Sequence, residues 1–202
     1  RCQPLILVGT QMIAKGHHFT NLSLVAMVDA DAGLFSIDFR AQERLAQQIT
    51  QVAGRAGRGS HSGEMVLQTH YPDHPLLLQL LSGGYPAFVR MAMAERAAID
   101  LPPHCYWSIL HAEAKSQSAA MGFLKRWVST LPAESDSQFD LLGPVLAPLS
   151  KRKGYFRAQL VLSAKSRMTM HFILSSLSKK ETFEKLSRGV RWAIDVDPLD
   201  VI

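Results

Sequence analysis

Two cysteines in 202 residues are too few for a disulfide framework, and Cys2 and Cys105 show no zinc-ligand spacing. This usage excludes a disulfide-stapled secreted domain and fits a reducing cytoplasm. No apolar run approaches the ~20 residues that a bilayer span needs, which excludes a membrane-spanning helix. The apolar burst at residues 4–8 is far too short for a secretory leader, and the chain has no initiator methionine, so it reads as a piece of a longer protein. A phosphate loop of the form Gly-x-x-x-x-Gly-Lys-Ser/Thr is also lacking, which excludes a self-sufficient nucleotidase of that type. Charge is sparse at 19%, whereas the hydrophobic share of 47% is that of a globular chain able to bury one or two cores.

What charge there is lies unevenly. Residues 1–103 hold 8 Lys+Arg and 8 Asp+Glu, whereas residues 104–202 hold 14 and 9, so the whole net charge of +5 sits in the second half. A basic half suits a polyanion such as nucleic acid, although ordinary surfaces carry similar excesses. Leu101-Pro102-Pro103 ends a helical pattern and sets the expected boundary, giving domains of residues 1–103 and 104–202.

In the first half, Pro4–Val8, Leu22–Asp31 and Gly63–Thr69 read as strands buried on both faces of a parallel sheet. Gly9-Thr10-Gln11 and Lys15 follow the first, at the carboxyl end where open α/β sheets bind ligands. Lys15 either touches a phosphate or is a solvated loop residue. His17 and His18 are adjacent, point apart and do not chelate one metal. Asp29 and Asp31 alternate at the end of the second strand and either hold a metal or an arginine or cap the loop Ala32–Phe35. His70 and His74 lie among prolines, which prevents the helix that would align them as a metal pair. Helices are expected at Leu76–Leu81 and Tyr85–Ile99.

Phe39–Thr50 reads as an amphipathic helix with Leu45 and Ile49 on its apolar side. If it continues to the glycines, Gln51, Arg55 and Arg58 fall at i, i+4 and i+7 on one face, and Gly54 and Gly57 let another surface approach. Two guanidinium groups and an amide on one stripe suit a nucleoside triphosphate. The same residues also suit a solvated basic helix end that complements the helix dipole.

The second half reads as strand 106–114, helix 118–131, strand 141–149 interrupted by Pro144 and Pro148, strand 155–163, helix 167–186 and strand 190–196. This order is β-α-β-β-α-β, a split βαβ sandwich of ferredoxin-like type. Phe123, Trp127 and Leu131 mark the buried side of its first helix; Phe156, Ala158, Leu160 and Leu162 share one face of its third strand. Lys151, Arg152 and Lys153 form a basic turn followed by Tyr155, Phe156 and Arg157, so that cations can reach phosphates and an aromatic can stack on a base. The other possibility is a charged hairpin tip with Phe156 in the core. Arg167 and His171, four apart on the last helix, either dock an acidic peptide or are a surface pair.

Taken together, Gly9–Phe19, Asp38–Arg44 and Gln51–Arg58 resemble motifs V and VI of the second RecA-like lobe of superfamily 2 helicases. The likeness is closer to the primosomal replication-restart helicases. It extends through Leu101-Pro102-Pro103, Lys151-Arg152 with Phe156-Arg157, and Asp195-Val196-Asp197-Pro198. The resemblance implies part of a RecA-like helicase lobe followed by a small α/β sandwich. It implies an ATP-dependent, 3′ to 5′ DNA helicase that recognises stalled or branched forks and restarts replication by primosome assembly in the nucleoid-associated cytoplasm. By the same resemblance Arg55 and Arg58, with Gln51 as accessory, meet the γ-phosphate, and Gly9, Thr10, Gln11, Lys15 and Gly54 couple nucleotide to DNA. ATP and Mg would be held mainly by the other lobe, since this chain also lacks an Asp-Glu-x-His box. The family's zinc segment has no counterpart ligands here. The implied partners are branched and single-stranded DNA, the acidic tail of single-stranded-DNA-binding protein at Arg167 and His171, and primosome proteins. The fragment alone is expected to be inactive as an ATPase. The alternative is a non-catalytic module that docks DNA and single-stranded-DNA-binding protein.

Overall fold

The computed structural model describes residues 5–10, 12, 22–54, 56, 63–131, 139–177 and 187–199. The chain forms two compact units, residues 1–95 and 96–202, in a mixed α/β fold.

The first unit contains β1 (Leu24–Met27), α1 (Asp31–Leu34), α2 (Ala41–Ala53), β2 (Glu64–Leu67) and α3 (Pro75–Ala98). β1 and β2 pair in parallel, Leu24 opposite Glu64 through Met27 opposite Leu67. α2 buries Leu45, Ala46, Ile49 and Val52, a 3.6-residue stripe that meets Leu76, Leu77, Leu80 and Phe88 of α3. Gly84 breaks α3 into two helical segments because its backbone takes a non-helical, positive-φ conformation, φ 68 and ψ −174, which glycine adopts readily. Pro86 then sits in the first turn of the second segment, where its missing N–H costs nothing.

Three expectations for this unit are corrected. Leu5–Val8 form no strand, and the four side chains are 57–89% exposed. A strand buried on both faces needs a paired neighbour and two covering layers, and neither β1 nor β2 pairs with this burst. β1 and β2 are themselves half-covered: their residues alternate between exposed and partly buried, with Met27, Met65 and Leu67 turned toward the helices. Asp29 and Asp31 do not alternate along a strand. Asp29 takes a left-handed turn at φ 57 after β1 has ended, and Asp31 opens α1. The turn separates their tasks: Asp29 caps Ala32, accepting its N–H at 3.4 Å, while Asp31 looks toward β2.

The second unit contains β3 (Tyr106–Ala114), α4 (Gln117–Val128), β4 (Phe139–Arg152), β5 (Tyr155–Ala164), α5 (Arg167–Leu177) and β6 (Val190–Val196). The strands lie in the order β4-β5-β3-β6, and each pair is antiparallel. This is the topology that β-α-β-β-α-β implies for a split βαβ sandwich. Ser116 starts α4 by accepting the Ala119 N–H at 3.2 Å, and Ser166 starts α5 by accepting that of Thr169 at 3.1 Å. One sheet face supplies Leu110, Ala112, Ala158, Leu160 and Leu162; α4 supplies Phe123, Leu124 and Trp127, and α5 supplies Met170 and Ile173. Each fully buried large side chain of this kind stabilises the fold by roughly 1.5–3 kcal/mol relative to exposure. Pro144 and Pro148 are tolerated because β4 is an edge strand whose register shifts at both sites, between Leu142 and Val145 and between Leu146 and Lys151. Gly143 makes the first shift possible: its φ is +112, and a Cβ there would meet the Val145 nitrogen at 3.0 Å.

Candidate functional site

Of the residues singled out in the first unit, Asp38–Arg44, Gln51 and Gly54 lie on or beside α2. Its start is tightly specified. Asp38 is 4% exposed, accepts the Arg40 N–H at 3.0 Å and pairs with Arg44 at 3.0 Å. Gln42 donates to the Leu34 carbonyl at 3.1 Å, and the Arg40 guanidinium lies 5.2 Å from the Phe39 ring. The run Asp38–Arg44 therefore has a structural task, which is to fix the entry and direction of α2. At the far end of the helix, Val52 is buried and Gln51 is exposed. Gly54 closes α2 by donating to the Thr50 carbonyl at 3.0 Å, and Ala56 donates to that of Val52 at 3.4 Å. Gly54 has an ordinary right-handed backbone at φ −67. Arg55, Gly57 and Arg58 lie outside the described residues, as do Gln11, Lys15, His17 and His18. Gly9 and Thr10 are exposed and outside regular structure, and the Thr10 hydroxyl accepts the Met12 N–H at 3.4 Å.

A second cluster lies at the carboxyl ends of β1 and β2, and sequence reasoning missed it. Asp31 Oδ1 accepts from the Thr69 hydroxyl at 2.5 Å. Its Oδ2 accepts the His70 N–H at 3.0 Å and meets His70 Nδ1 at 2.6 Å. The Thr69 hydrogen bond, with the His70 contacts adding to it, holds the Asp31 carboxyl below its ordinary value. Nearby, Phe35 meets Tyr71 edge-on at 4.6 Å and His74 at 5.7 Å, and His74 Nδ1 accepts the Leu76 N–H. His70 and His74 thus serve separate neighbours. The parallel pairing of β1 with β2 was the available signal, because it brings the residues after each strand together. Among the described residues, no group of three or more His, Cys, Asp or Glu side chains could hold a metal ion.

In the second unit, Arg152 pairs with Tyr155 across a two-residue turn, Lys153-Gly154, in which both residues have positive φ, 47 and 79. This geometry matches the right-handed twist of a hairpin and favours glycine at its second position. Lys151, Arg152 and Lys153 are exposed at the tip, and Lys151 Nζ lies 5.0 Å from the Phe156 ring centre. Tyr155 is half-buried, with Lys115 Nζ 4.0 Å and Arg191 Cζ 4.5 Å from its ring centre. Arg157 is paired with Glu113 at 3.1 Å. One strand step further in, His111 is held below its ordinary value, chiefly by burial, with Asp195 opposing and Arg157 reinforcing the shift. Arg167 and His171 are both exposed on the first turns of α5, and the Arg167 guanidinium lies 5.3 Å from the Tyr106 ring. Met168 and Phe172, beside them in sequence, are exposed as well. No helix of the described residues is long and apolar enough to cross a membrane.

Comparison with known proteins adds to this geometry. The sequence model described as "Primosomal protein N C-terminal domain" matches residues 97–199. The replication restart protein PriA of Haemophilus influenzae is 48% identical over 196 residues, which is 97% of this chain and 27% of that protein. The proteins of the same name from Rickettsia felis and Bacillus subtilis are 34% and 32% identical over 96% of the chain and 29% and 24% of their own lengths. The chain therefore spans about a quarter of the length of the curated relatives it matches.

Proposed function

The chain belongs to the PriA family of replication restart proteins, and on that premise we propose that it serves as the C-terminal part of an ATP-dependent superfamily 2 DNA helicase acting 3′ to 5′ in replication restart. The observation that carries the reading is the extent of the match: 97% of the chain aligns at 48% identity with a replication restart protein, so the alignment takes in the motif-bearing first unit as well as the second.

On this reading the two units divide the work. Arg55 and Arg58, with Gln51 beside them in the sequence, offset the charge that builds on the transferring γ-phosphoryl group. Gly9, Thr10, Gln11, Lys15 and Gly54 couple that site to DNA. ATP and Mg are held mainly by a lobe outside this chain, since no phosphate loop is present in it. The basic hairpin of Lys151, Arg152 and Lys153, with Tyr155 and Arg157, contacts branched DNA. Arg167 and His171 receive the acidic tail of single-stranded-DNA-binding protein, with Met168 and Phe172 exposed beside them. Primosome proteins complete the partner set, in the nucleoid-associated cytoplasm.

The test is enzymatic. The 202-residue chain, mixed with ATP, Mg and forked DNA, should release no phosphate above background. DNA-stimulated turnover by the chain alone would overturn this assignment of the phosphate site to two lobes. A second reading, a docking module without catalysis, is favoured for residues 96–202 by their self-contained core. The two readings hold together if each describes one unit.

A further inference from the structure

We propose that the sheet face of the second unit opposite α4 and α5, at its hairpin end, binds single-stranded DNA, with Tyr155 stacking on a base and Lys115 and Arg191 taking the flanking phosphates. The inference rests on the reading that this unit contacts DNA, and adds the strand class and two residues outside the basic turn.

The register defines the face. Ala158, Leu160 and Leu162 of β5 point into the core against the helices, so Tyr155 and Arg157 point the other way. Glu113 lies opposite both Arg157 on β5 and Arg191 on β6, and Arg152 lies opposite Tyr155 on β4. Four adjacent strands thus bring Arg152, Tyr155, Arg157, Glu113 and Arg191 to one end of one face, and Lys115 follows β3 directly. From β5 to β6 the strip is about 10 Å across, two strand spacings.

The charges on this strip are unbalanced. Glu113 is the acid among these residues, and Arg157 already engages it at 3.1 Å. Among the described residues Lys115 and Arg191 have no ion pair with an acid; both rest on the Tyr155 ring, at 4.0 and 4.5 Å from its centre. Two cations gathered on one aromatic ring are a poor end state for surface charges and a ready one for a ligand that is planar and anionic at once. A nucleotide meets both needs: its base replaces a cation on the ring and its phosphates accept the displaced cations. The base must be unstacked to reach the ring, which favours a single strand over duplex.

The experiment measures binding of the 202-residue chain to a labelled oligothymidylate and to a blunt duplex at several salt concentrations. Tyr155→Ala should weaken oligothymidylate binding roughly ten-fold and leave the duplex little changed, while Tyr155→Phe keeps both. Lys115→Gln with Arg191→Gln, both exposed and tolerant of change, should lower the salt slope for the single strand by about 1.4. Equal loss on duplex and single strand in Tyr155→Ala, or an unchanged slope in the double variant, overturns the inference. Charge reversal of Lys151 and Lys153, which leaves the strip's Arg152 in place, separates it from the wider reading. If reversal abolishes binding while the strip variants bind normally, the turn is the DNA site and this inference fails. If only the strip variants lose binding, the inference stands and the turn assignment fails.

Discussion

Ile109 and Leu110 are neighbours on β3, face opposite sides of the second unit's sheet, and are both fully buried. Leu24 and Val66, on the paired strands of the first unit, are 52% and 46% exposed, and the burst Leu5–Val8 is more exposed still. Both halves of the sequence carry apolar strand patterns of similar strength, yet among the described residues only the second packs a four-stranded sheet against its own helices. Apolar composition shows what a strand would bury; whether anything lies against it is decided by pairing. The second unit has its neighbours within about a hundred residues, whereas β1 and β2 have each other and the helices on one side.

That contrast is open to attack by substitution. The largest effect is expected at Trp127, which is 1% exposed at the centre of the second core. Trp127→Ala should cost about 3–5 kcal/mol and remove the second unit's urea transition, followed by far-UV circular dichroism, while the first unit's signal persists. Ile49→Ala, in the first unit's core, should cost roughly 2–5 kcal/mol and leave the second transition in place. If either substitution melts both units together, they are not separate folding units.

A smaller effect is expected at the start of α2. Asp38→Ala removes the acceptor of the Arg40 N–H and the partner of Arg44. It should destabilise the first unit by about 1–2 kcal/mol, and Asp38→Asn, which keeps the acceptor, by less. Equal losses in the two variants would show that the ion pair with Arg44 rather than the hydrogen bond from Arg40 holds the helix start.

The smallest effect is a pH dependence that differs between units. Burial holds the folded His111 below its ordinary value of 6.5, so the unfolded chain takes up the proton more readily. The second unit should therefore be fully stable above about pH 6.5 and weaken as pH falls through the lower folded value. Asp31 in the first unit is also depressed, but from 3.8, so its contribution is present above that pH and is lost only in stronger acid. Thermal melts between neutral pH and pH 5 should move the second transition alone, and His111→Gln should flatten that response. An unchanged slope in the variant would assign the titration elsewhere.

Much of this was legible in the sequence, and unevenly so. The second unit's six elements follow from periodicity: Phe123 with Trp127 marks a helix face, and Ala158, Leu160 and Leu162 mark a strand face. The basic turn was legible because Lys153-Gly154 between apolar runs is hairpin chemistry. The ring of Tyr155 between Lys115 and Arg191 was not, because the three residues come from different strands and meet only through register. Asp31 with Thr69 and His70 escaped for the same reason: the parallel pairing of β1 with β2 sets that contact, and Asp29's left-handed turn breaks the alternation that the sequence suggests. The conspicuous run Asp38–Arg44 looked like part of a motif, and its visible task is to anchor α2.

The division of labour between the units is tested most directly by measuring DNA-stimulated ATP hydrolysis and forked-DNA affinity together, in a full-length family member carrying changes at these positions. Arg55→Ala is expected to lower turnover by roughly a thousand-fold with affinity unchanged, and charge reversal of Lys151, Arg152 and Lys153 to weaken affinity while turnover at saturating DNA is kept. Parallel loss of both quantities in either variant would contradict it.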